Sequence, residues 1–188
     1  MRIILASGSP RRQQLLSQIG ISFEIIVSDA DENIEGPVHN QVEALAKRKA
    51  LAVKPQVSGE AVIIAADTLV SVDGRVLSKP ADKEDAFAIL NVLQGRKHTV
   101  YTGVALIKGK TLHSFVDAAD VYFRPLCNKE ITGYINTGEP FDKAGAYGVQ
   151  GRGAVLIERI EGDFYTVMGL PLSRLCVALG EMGVDIWW

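Results

Sequence analysis

Apolar residues recur along the chain in two different periods, and the alternation between these periods predicts a mixture of strands and helices. Short apolar runs bounded by turn residues predict buried strands at residues 3–5 and 23–28. A longer run predicts a strand at residues 61–72, which Asp73-Gly74 turns back into a short partner strand. Apolar residues spaced three and four apart predict helices that begin near Ser9-Pro10, Val38, Lys83, Asn128 and Pro171, with Ser9 and Asn128 as N-caps.

The second half of the chain predicts a long hairpin and one further strand. Residues 98–107 and 111–123 flank a turn at Lys108-Gly109-Lys110, and residues 154–160 form a strand after a glycine-rich loop. Because helices and strands alternate while some neighbours are antiparallel, the predicted fold class is α/β with a mixed β-sheet. The long hairpin is able to form a second lobe, and a groove between two lobes is then the expected ligand site.

Composition and charge exclude several functional classes. The chain has 188 residues, a 47% apolar fraction and a formal net charge of −2, so it lacks a general basic field for a nucleic acid polymer. No apolar run reaches the length of a membrane span, and no signal peptide precedes the first predicted strand. Cys127 and Cys176 have no metal or redox spacing and suit a reducing compartment, so a cytoplasmic location is predicted.

The segment SGSPRR, residues 7–12, places two guanidinium groups where a helix is predicted to begin. A helix N-terminus already carries partial positive charge, which disfavours cations and attracts anions. Ser7, Ser9, Arg11 and Arg12, with the free backbone N–H groups, therefore predict a phosphate site that lacks the spacing of a P-loop. The alternative is a capped helix whose arginines face solvent or pair with a carboxylate.

Lys49 interrupts an apolar helix face, because it follows Val42, Leu45 and Ala46 at helical spacing. A lysine in such a position extends to solvent, pairs with an acid or binds a ligand. The remaining basic residues of this segment are predicted to be solvated: Lys47, Arg48 and Lys54.

Two carboxylates are candidates for metal binding and for activating a water molecule. Asp67 follows the apolar run 62–66, which predicts that it lies at the exit of a buried strand, where α/β proteins build their sites. A turn cap is the alternative. Glu32 is a second carboxylate, and Mg²⁺ binds one or two carboxylates together with water and substrate phosphate. Spacing alone does not separate Glu32 from its acidic neighbours Asp29, Asp31 and Glu35.

Three residues further along the chain add to the candidate chemistry. Lys79 precedes Pro80 and supplies a cation near a strand end, although an exposed loop lysine is the alternative. In the glycine-rich loop, Tyr147 is able to stack on a base and Gln150 to bind a base edge, the alternative being a flexible surface loop. The histidines have no metal or triad spacing and are interpreted as ordinary: His39, His98 and His113.

Together these motifs resemble the Maf family of nucleoside triphosphate pyrophosphatases, also described as septum-formation inhibitors. The resemblance spans essentially the whole chain and predicts a single Maf-like domain over residues 1–188. It rests on LASGSPRR (5–12), DADE (29–32), LAKRKA (45–50), AADTLV (65–70), SKP (78–80), TGV (102–104), GEPFDKAGAYGVQGRGA (138–154) and GDFYTVMGLPL (162–172).

The resemblance implies a fold and a reaction. The implied fold is an elongated, two-lobed mixed α/β structure similar to inosine triphosphate pyrophosphatases, with a cleft between the lobes, and it is commonly a homodimer. The implied reaction cleaves a nucleoside triphosphate between its α and β phosphates, giving the monophosphate and pyrophosphate. The implied cofactor is a divalent cation, with Mg²⁺ expected first and Mn²⁺ or Co²⁺ as alternatives.

The resemblance also implies roles for individual residues. Asp67 corresponds to the catalytic acid that activates water, Glu32 to its partner at the metal site, and Lys79 to a cation that contacts phosphate during catalysis. The phosphate-binding positions are Ser7, Ser9, Arg11, Arg12 and Lys49.

Substrate preference divides the family, and this chain matches one branch. Arg12, Thr68 and Gln150 agree with the branch that prefers dTTP and UTP, rather than the branch that prefers 7-methyl-GTP. A nucleotide-binding regulator of cell division without catalysis is the alternative from another class. The presence of Asp67 together with Glu32 favours turnover, because a protein that only binds nucleotide needs no acidic residue to activate water.

Overall fold

The computed structural model describes residues 1–186, in which seven strands form one mixed β-sheet. The strands are β1 (Arg2–Leu5), β2 (Glu24–Ile25), β3 (Ala61–Val72), β4 (Arg75–Leu77), β5 (Lys97–Lys108), β6 (Thr111–Phe123) and β7 (Ile157–Glu161). The helices are α1 (Pro10–Gln18), α2 (Val38–Val53), α3 (Lys83–Leu93), α4 (Asn128–Ile135), α5 (Phe164–Met168) and α6 (Leu172–Glu181). None of the helices within residues 1–186 is long and apolar enough to cross a membrane.

The order of the strands confirms the predicted α/β class and the mixed sheet. The strands follow the order β2-β1-β3-β5-β6-β7, and β4 pairs with β3 off this path. Strand β1 pairs in parallel with both β2 and β3, whereas the β3–β4 and β6–β7 pairs are antiparallel. The predicted hairpin joins β5 to β6, but its turn is Gly109-Lys110 alone, because Lys108 belongs to β5.

Two strands are shorter than predicted. In one the partner strand ends, and in the other the first predicted residues form a 3₁₀ turn. Strand β2 ends at Ile25, since its partner β1 ends at the paired residue Leu5. Strand β7 begins only at Ile157, because residues 151–156 form a 3₁₀ turn. The carbonyls of Val155 and Leu156 in that turn accept hydrogen bonds from Arg124, at 2.8 and 3.1 Å.

Two helix starts also differ from the prediction. The N-cap of α4 is Cys127 and not Asn128, and the Glu130 carboxylate accepts the Cys127 N–H at 2.9 Å to complete a capping box. Helix α5 is absent from the predicted elements. The Asp163 carboxylate accepts the N–H groups of Tyr165 and Thr166, each at 3.1 Å, and so stabilises the first turn of α5.

The chain divides into two compact units, each containing part of β3, β5 and β6. The first unit comprises Met1–Asp67, Thr102–Asp117 and the described chain from Gly169 onward, and the second comprises Thr68–Tyr101 and Ala118–Met168. The core of the first unit includes apolar residues of α2 packed with those of β1, β3 and β5: Ile4, Ala46, Ala50, Val53, Ile63, Ala65, Ala105 and Ile107.

Helix α2 lies unusually close to β5 in this first unit. A Cβ atom added at Gly103 would lie 2.3 Å from the carbonyl oxygen of Val42 and 2.7 Å from the backbone nitrogen of Glu43. No flexible side chain is involved, so neither backbone can give way locally. The helix that carries Lys49 can therefore pack at this distance only because residue 103 is glycine.

The core of the second unit surrounds a buried histidine. His98 is 2% exposed, its Nε2 lies 2.7 Å from the Tyr147 hydroxyl, and its ring packs edge-on against Phe123 and Tyr147. Its Nδ1 has no hydrogen-bond partner in the part of the chain that the structure describes. Burial lowers the pKa of His98 to about 4, so this histidine is a neutral core residue at pH 7.

We expect Gly103→Ala to lower the unfolding free energy by about 3 kcal/mol or more, because the new methyl group overlaps the α2 backbone. The matched control is Gly133→Ala in α4, where an added Cβ meets no described atom within 4 Å. That control should leave stability unchanged or raise it by up to about 1 kcal/mol. Urea denaturation measures both, and equal midpoints would contradict the close packing.

We expect the neutral His98 to make stability fall in acid. The unfolded chain binds a proton at this residue below its usual pKa of 6.5, whereas the folded chain does so only near pH 4, so stability is lost between these values. The loss is about 3 kcal/mol. His98→Gln does not titrate, and denaturation curves from pH 7 to 4 should show a shallower decline for this variant. Parallel declines for parent and variant would contradict the assignment.

Candidate active site

The candidate site lies in the first unit, beyond the carboxyl end of β1. Leu5 is the last paired residue of β1 and lies opposite Ile25 on one side and Ile64 on the other. The chain then crosses to α1, which has Ser9 as N-cap and Pro10 at its first position, as predicted. Ser9 forms no side-chain capping bond among the described residues; instead its N–H donates to the Ser7 hydroxyl at 3.3 Å.

Arg12 is anchored to this turn rather than extended into solvent. Its guanidinium donates to the Ser7 hydroxyl at 3.0 Å and to the Gly169 carbonyl at 2.9 Å. Burial lowers the pKa of Arg12, and the nearby negative charge of Asp67 opposes this effect, while Arg11 adds to it. The solvent-facing alternative is therefore wrong for Arg12, and two guanidinium groups lie close together at the start of α1.

Lys49 lies between the two candidate carboxylates. Its Nζ is 2.6 Å from Asp67 Oδ1 and 2.6 Å from Glu32 Oε1. The side chains of Lys49 and Asp67 are 13% and 11% exposed, whereas that of Glu32 is 67% exposed. A lysine on an apolar helix face was expected to extend to solvent, pair with an acid or bind a ligand. The structure shows that Lys49 pairs with acids.

Asp67 lies inside a strand and not at its exit. Strand β3 spans residues 61–72 as predicted, so the interpretation of Asp67 as lying at a strand exit is wrong, although residues 61–67 are buried throughout as expected. The position is nonetheless at an edge of the parallel pairing, because Asp67 is three residues beyond Ile64, which pairs with the last residue of β1. Asp67 therefore lies on extended backbone. It is close enough to Arg12, in the helix after β1, for its negative charge to oppose the lowering of the pKa of that guanidinium by burial.

The side chain of Arg48 is 40% exposed, in agreement with its prediction as a solvated residue, but Arg48 also fixes the acidic passage that carries Glu32. Its guanidinium donates to the carbonyls of Asp31 and Asn33, at 2.8 and 3.1 Å, and lies 3.7 Å from the Asp31 carboxylate. Arg48 and Gly169 are contacts of the site that the sequence did not identify. The only local signal for Arg48 is its position next to Lys49 on α2.

The remaining predicted site residues lie in the second unit. Lys79 is exposed between β4 and α3, Thr68 lies in β3, and Gln150 is half-buried before the 3₁₀ turn at Gly151–Leu156. The proposed stacking of Tyr147 on a base is wrong, because Tyr147 is 4% exposed and its hydroxyl is bonded to His98.

The donors of the first unit fit a hard divalent cation. Glu32 and Asp67 contact the same ammonium nitrogen, so a positive charge at that place has a carboxylate oxygen on each side. Within residues 1–186, no group of three His, Cys, Asp or Glu side chains is placed to hold a metal without other ligands. Two carboxylates completed by water and phosphate oxygens are the usual donors for Mg²⁺.

Comparison with known proteins places the chain in a family. The family model described as Maf-like protein matches residues 2–182. The dTTP/UTP pyrophosphatase of Clostridium novyi is 46% identical over 99% of this chain and 100% of its own length. The dTTP/UTP pyrophosphatase of Symbiobacterium thermophilum is 49% identical over 99% of this chain and 96% of its own.

Among solved structures, a HAM1 protein from Coxiella burnetii is similar in fold. It superposes with a TM-score of 0.56 and 15% identity, covering 96% of this chain and 99% of its own. At that identity the likeness concerns the fold alone, and it agrees with the predicted mixed α/β class. With one family model matched over residues 2–182 and relatives nearly half identical along their whole length, this chain belongs to the Maf family.

Proposed function

We propose that this chain is a nucleoside triphosphate pyrophosphatase that hydrolyses dTTP and UTP to the monophosphate and pyrophosphate. The observation that carries the proposal is the contact of the Lys49 ammonium with both Asp67 and Glu32, next to the guanidinium of Arg12. Relatives that carry the name dTTP/UTP pyrophosphatase over their full length support the same reaction.

The basic groups of the first unit account for substrate binding. Arg11 and Arg12 at the start of α1 neutralise phosphate oxygens, and the partial positive charge of the helix N-terminus favours the same anion. The Ser7 hydroxyl, which accepts a hydrogen bond from Arg12, keeps that guanidinium in place. Lys49 pairs with both acids before substrate binds and supplies a further positive charge for the triphosphate.

Asp67 is the proposed base for the water that attacks the α-phosphorus. It lies on rigid extended backbone and is nearly buried, so its carboxylate is oriented before the reaction begins. A divalent cation, with Mg²⁺ as the proposed ion, would be held by Glu32 and Asp67. When bound, it would neutralise charge that develops on the phosphates and lower the pKa of a bound water.

The proposed roles of Lys79, Thr68 and Gln150 rest on the sequence motifs alone. Lys79 would contact phosphate in the reaction, while Thr68 and Gln150, with Arg12, would set the preference for a pyrimidine base. A glutamine amide offers one donor and one acceptor, which match the edge of thymine or uracil. A homodimer and a cytoplasmic location belong to the same proposal, and sedimentation velocity tests the former.

We expect a panel of nucleoside triphosphates to be cleaved with dTTP and UTP as the best substrates, releasing pyrophosphate and not orthophosphate. The panel should include 7-methyl-GTP and be assayed with Mg²⁺, Mn²⁺ and Co²⁺, scoring both products. A preference for 7-methyl-GTP would assign the chain to the other branch of the family. Tight nucleotide binding without any turnover would instead favour a regulatory protein.

We expect Asp67→Asn to reduce kcat for dTTP by at least about a hundredfold, because the amide no longer accepts the proton from water. Its circular dichroism should remain that of a folded protein, whereas its thermal midpoint should fall, because Lys49 loses the charge of its nearly buried partner. The matched control is Asp73→Asn, an exposed turn residue 2.6 Å from Arg96 in the second unit, which should retain full activity. Parent-like hydrolysis by the Asp67 variant would remove the assigned role.

A further inference from the structure

The glycine-rich loop that carries Gln150 is held by hydrogen bonds to its backbone. The Glu139 carboxylate accepts the N–H of Arg152 at 2.9 Å through one oxygen and the N–H of Gly153 at 3.0 Å through the other. The N–H of Gly148 donates to the Tyr134 hydroxyl at 3.1 Å. These contacts lie on both sides of Gln150 in the chain.

The two side chains that make these contacts are also bonded to each other. The Tyr134 hydroxyl donates to Glu139 Oε1 at 3.0 Å while it accepts from Gly148, so one continuous set of hydrogen bonds joins Gly148 to Gly153. Burial raises the pKa of Tyr134, which keeps the hydroxyl proton available for donation. We use the name loop clamp for Tyr134, Glu139, Gly148, Arg152 and Gly153.

The charge on Glu139 is maintained by the same contacts. Burial by itself raises the pKa of this carboxyl, but the N–H groups of Gly153 and Arg152 and the Tyr134 hydroxyl outweigh burial and hold the pKa below its usual value. Glu139 therefore accepts as a carboxylate at pH 7. Hydrogen bonds to an ionised acceptor are stronger than those between neutral groups.

The backbone of the loop packs closely on itself and on the side chains of the loop clamp. A Cβ atom at Gly153 would lie 2.4 Å from the Gly148 carbonyl oxygen and 2.7 Å from the Tyr134 hydroxyl. Gly151 has φ +82°, and a Cβ there would lie 2.9 Å from Glu139 Oε2. The backbone around Gln150 thus folds directly onto the loop clamp, which favours an ordered segment over the predicted alternative of a flexible surface loop.

From this geometry we infer that Glu139 and Tyr134 are positioning residues for base recognition, acting through the backbone of the loop that carries Gln150. The inference rests on the proposed function, because it assumes that Gln150 contacts the base. A glutamine can discriminate between bases only if its backbone is fixed, since its side chain alone has several rotatable bonds. The loop clamp supplies that fixed backbone.

The test compares Glu139→Gln with a matched control, Glu130→Gln. Glu130 is a carboxylate in the same unit and belongs to the capping box of α4. It accepts the backbone N–H of Cys127 at 2.9 Å and a hydrogen bond from the Arg124 guanidinium at 2.7 Å. Both variants lose charge-assisted hydrogen bonds and both should lose some thermal stability. Only Glu139→Gln should change the ratio of kcat/KM for dTTP to that for dCTP, two pyrimidines that differ at the base edge.

We expect this ratio to fall about tenfold in Glu139→Gln, the factor that corresponds to the loss of one hydrogen bond to the base. The fall should arise mainly from a higher KM for dTTP, with kcat nearly unchanged. Tyr134→Phe removes only the contacts of the hydroxyl and should lower the ratio in the same direction by a smaller factor. It also serves as the second variant if Glu139→Gln does not fold.

Two further measurements separate positioning from general destabilisation. Amide hydrogen exchange should be faster at Gly148, Arg152 and Gly153 in Glu139→Gln and unchanged there in Glu130→Gln. In a Gln150→Ala background, where the discrimination is already lost, Glu139→Gln should cause no further fall in the ratio.

The outcomes that overturn the inference differ from those that overturn the proposed function. A parent-like ratio in Glu139→Gln, an equal fall in Glu130→Gln, or an additional fall in the Gln150→Ala background would each reject positioning by the loop clamp while leaving the reaction intact. A parent protein that hydrolyses neither dTTP nor UTP rejects the proposed function, and the role in base recognition falls with it.

Discussion

The pairing of one buried ammonium group with two carboxylates is the interaction on which the candidate site depends. Removing charges from water is costly unless opposite charges and hydrogen bonds compensate, so Lys49 and Asp67 each require the other. The pair joins α2 to β3, and Glu32 attaches the acidic passage to the same nitrogen. Arg48, one residue before Lys49, holds the backbone of that passage. Helix α2 thereby holds two segments that are distant from each other in sequence, the acidic passage and β3.

The sequence predicted those site residues whose type is unusual for their position in a helix or strand. Lys49 was identifiable because it interrupts an apolar face, and Arg11 and Arg12 because cations are disfavoured where a helix begins. Asp67 was identifiable as the first charge after a long apolar run. The strand end predicted there was wrong because pairing, and not polarity, decides where a strand ends: beyond the β1 partners, β3 pairs with β4 from Val70 onward.

The features that the sequence could not predict are contacts between distant residues of ordinary type. Arg12 donates to the carbonyl of Gly169, a backbone group that carries no signature in the sequence. His98 is conspicuous only after Tyr147 and Phe123 are seen packed around it. The helices and strands of the fold were predictable from periodicity, whereas short elements such as α5 depend on single caps and were missed.

The location of Asp67 in the middle of a twelve-residue strand has a consequence for how this family can diverge. Insertions and deletions accumulate in loops, and a residue flanked by paired backbone is insulated from them. The conformation of the glycine-rich loop of residues 138–153, in contrast, depends on a small number of side-chain contacts, so a few substitutions are enough to change it. Under the proposed function, new nucleotide preferences can therefore evolve in descendants of this fold while the hydrolytic chemistry is inherited unchanged.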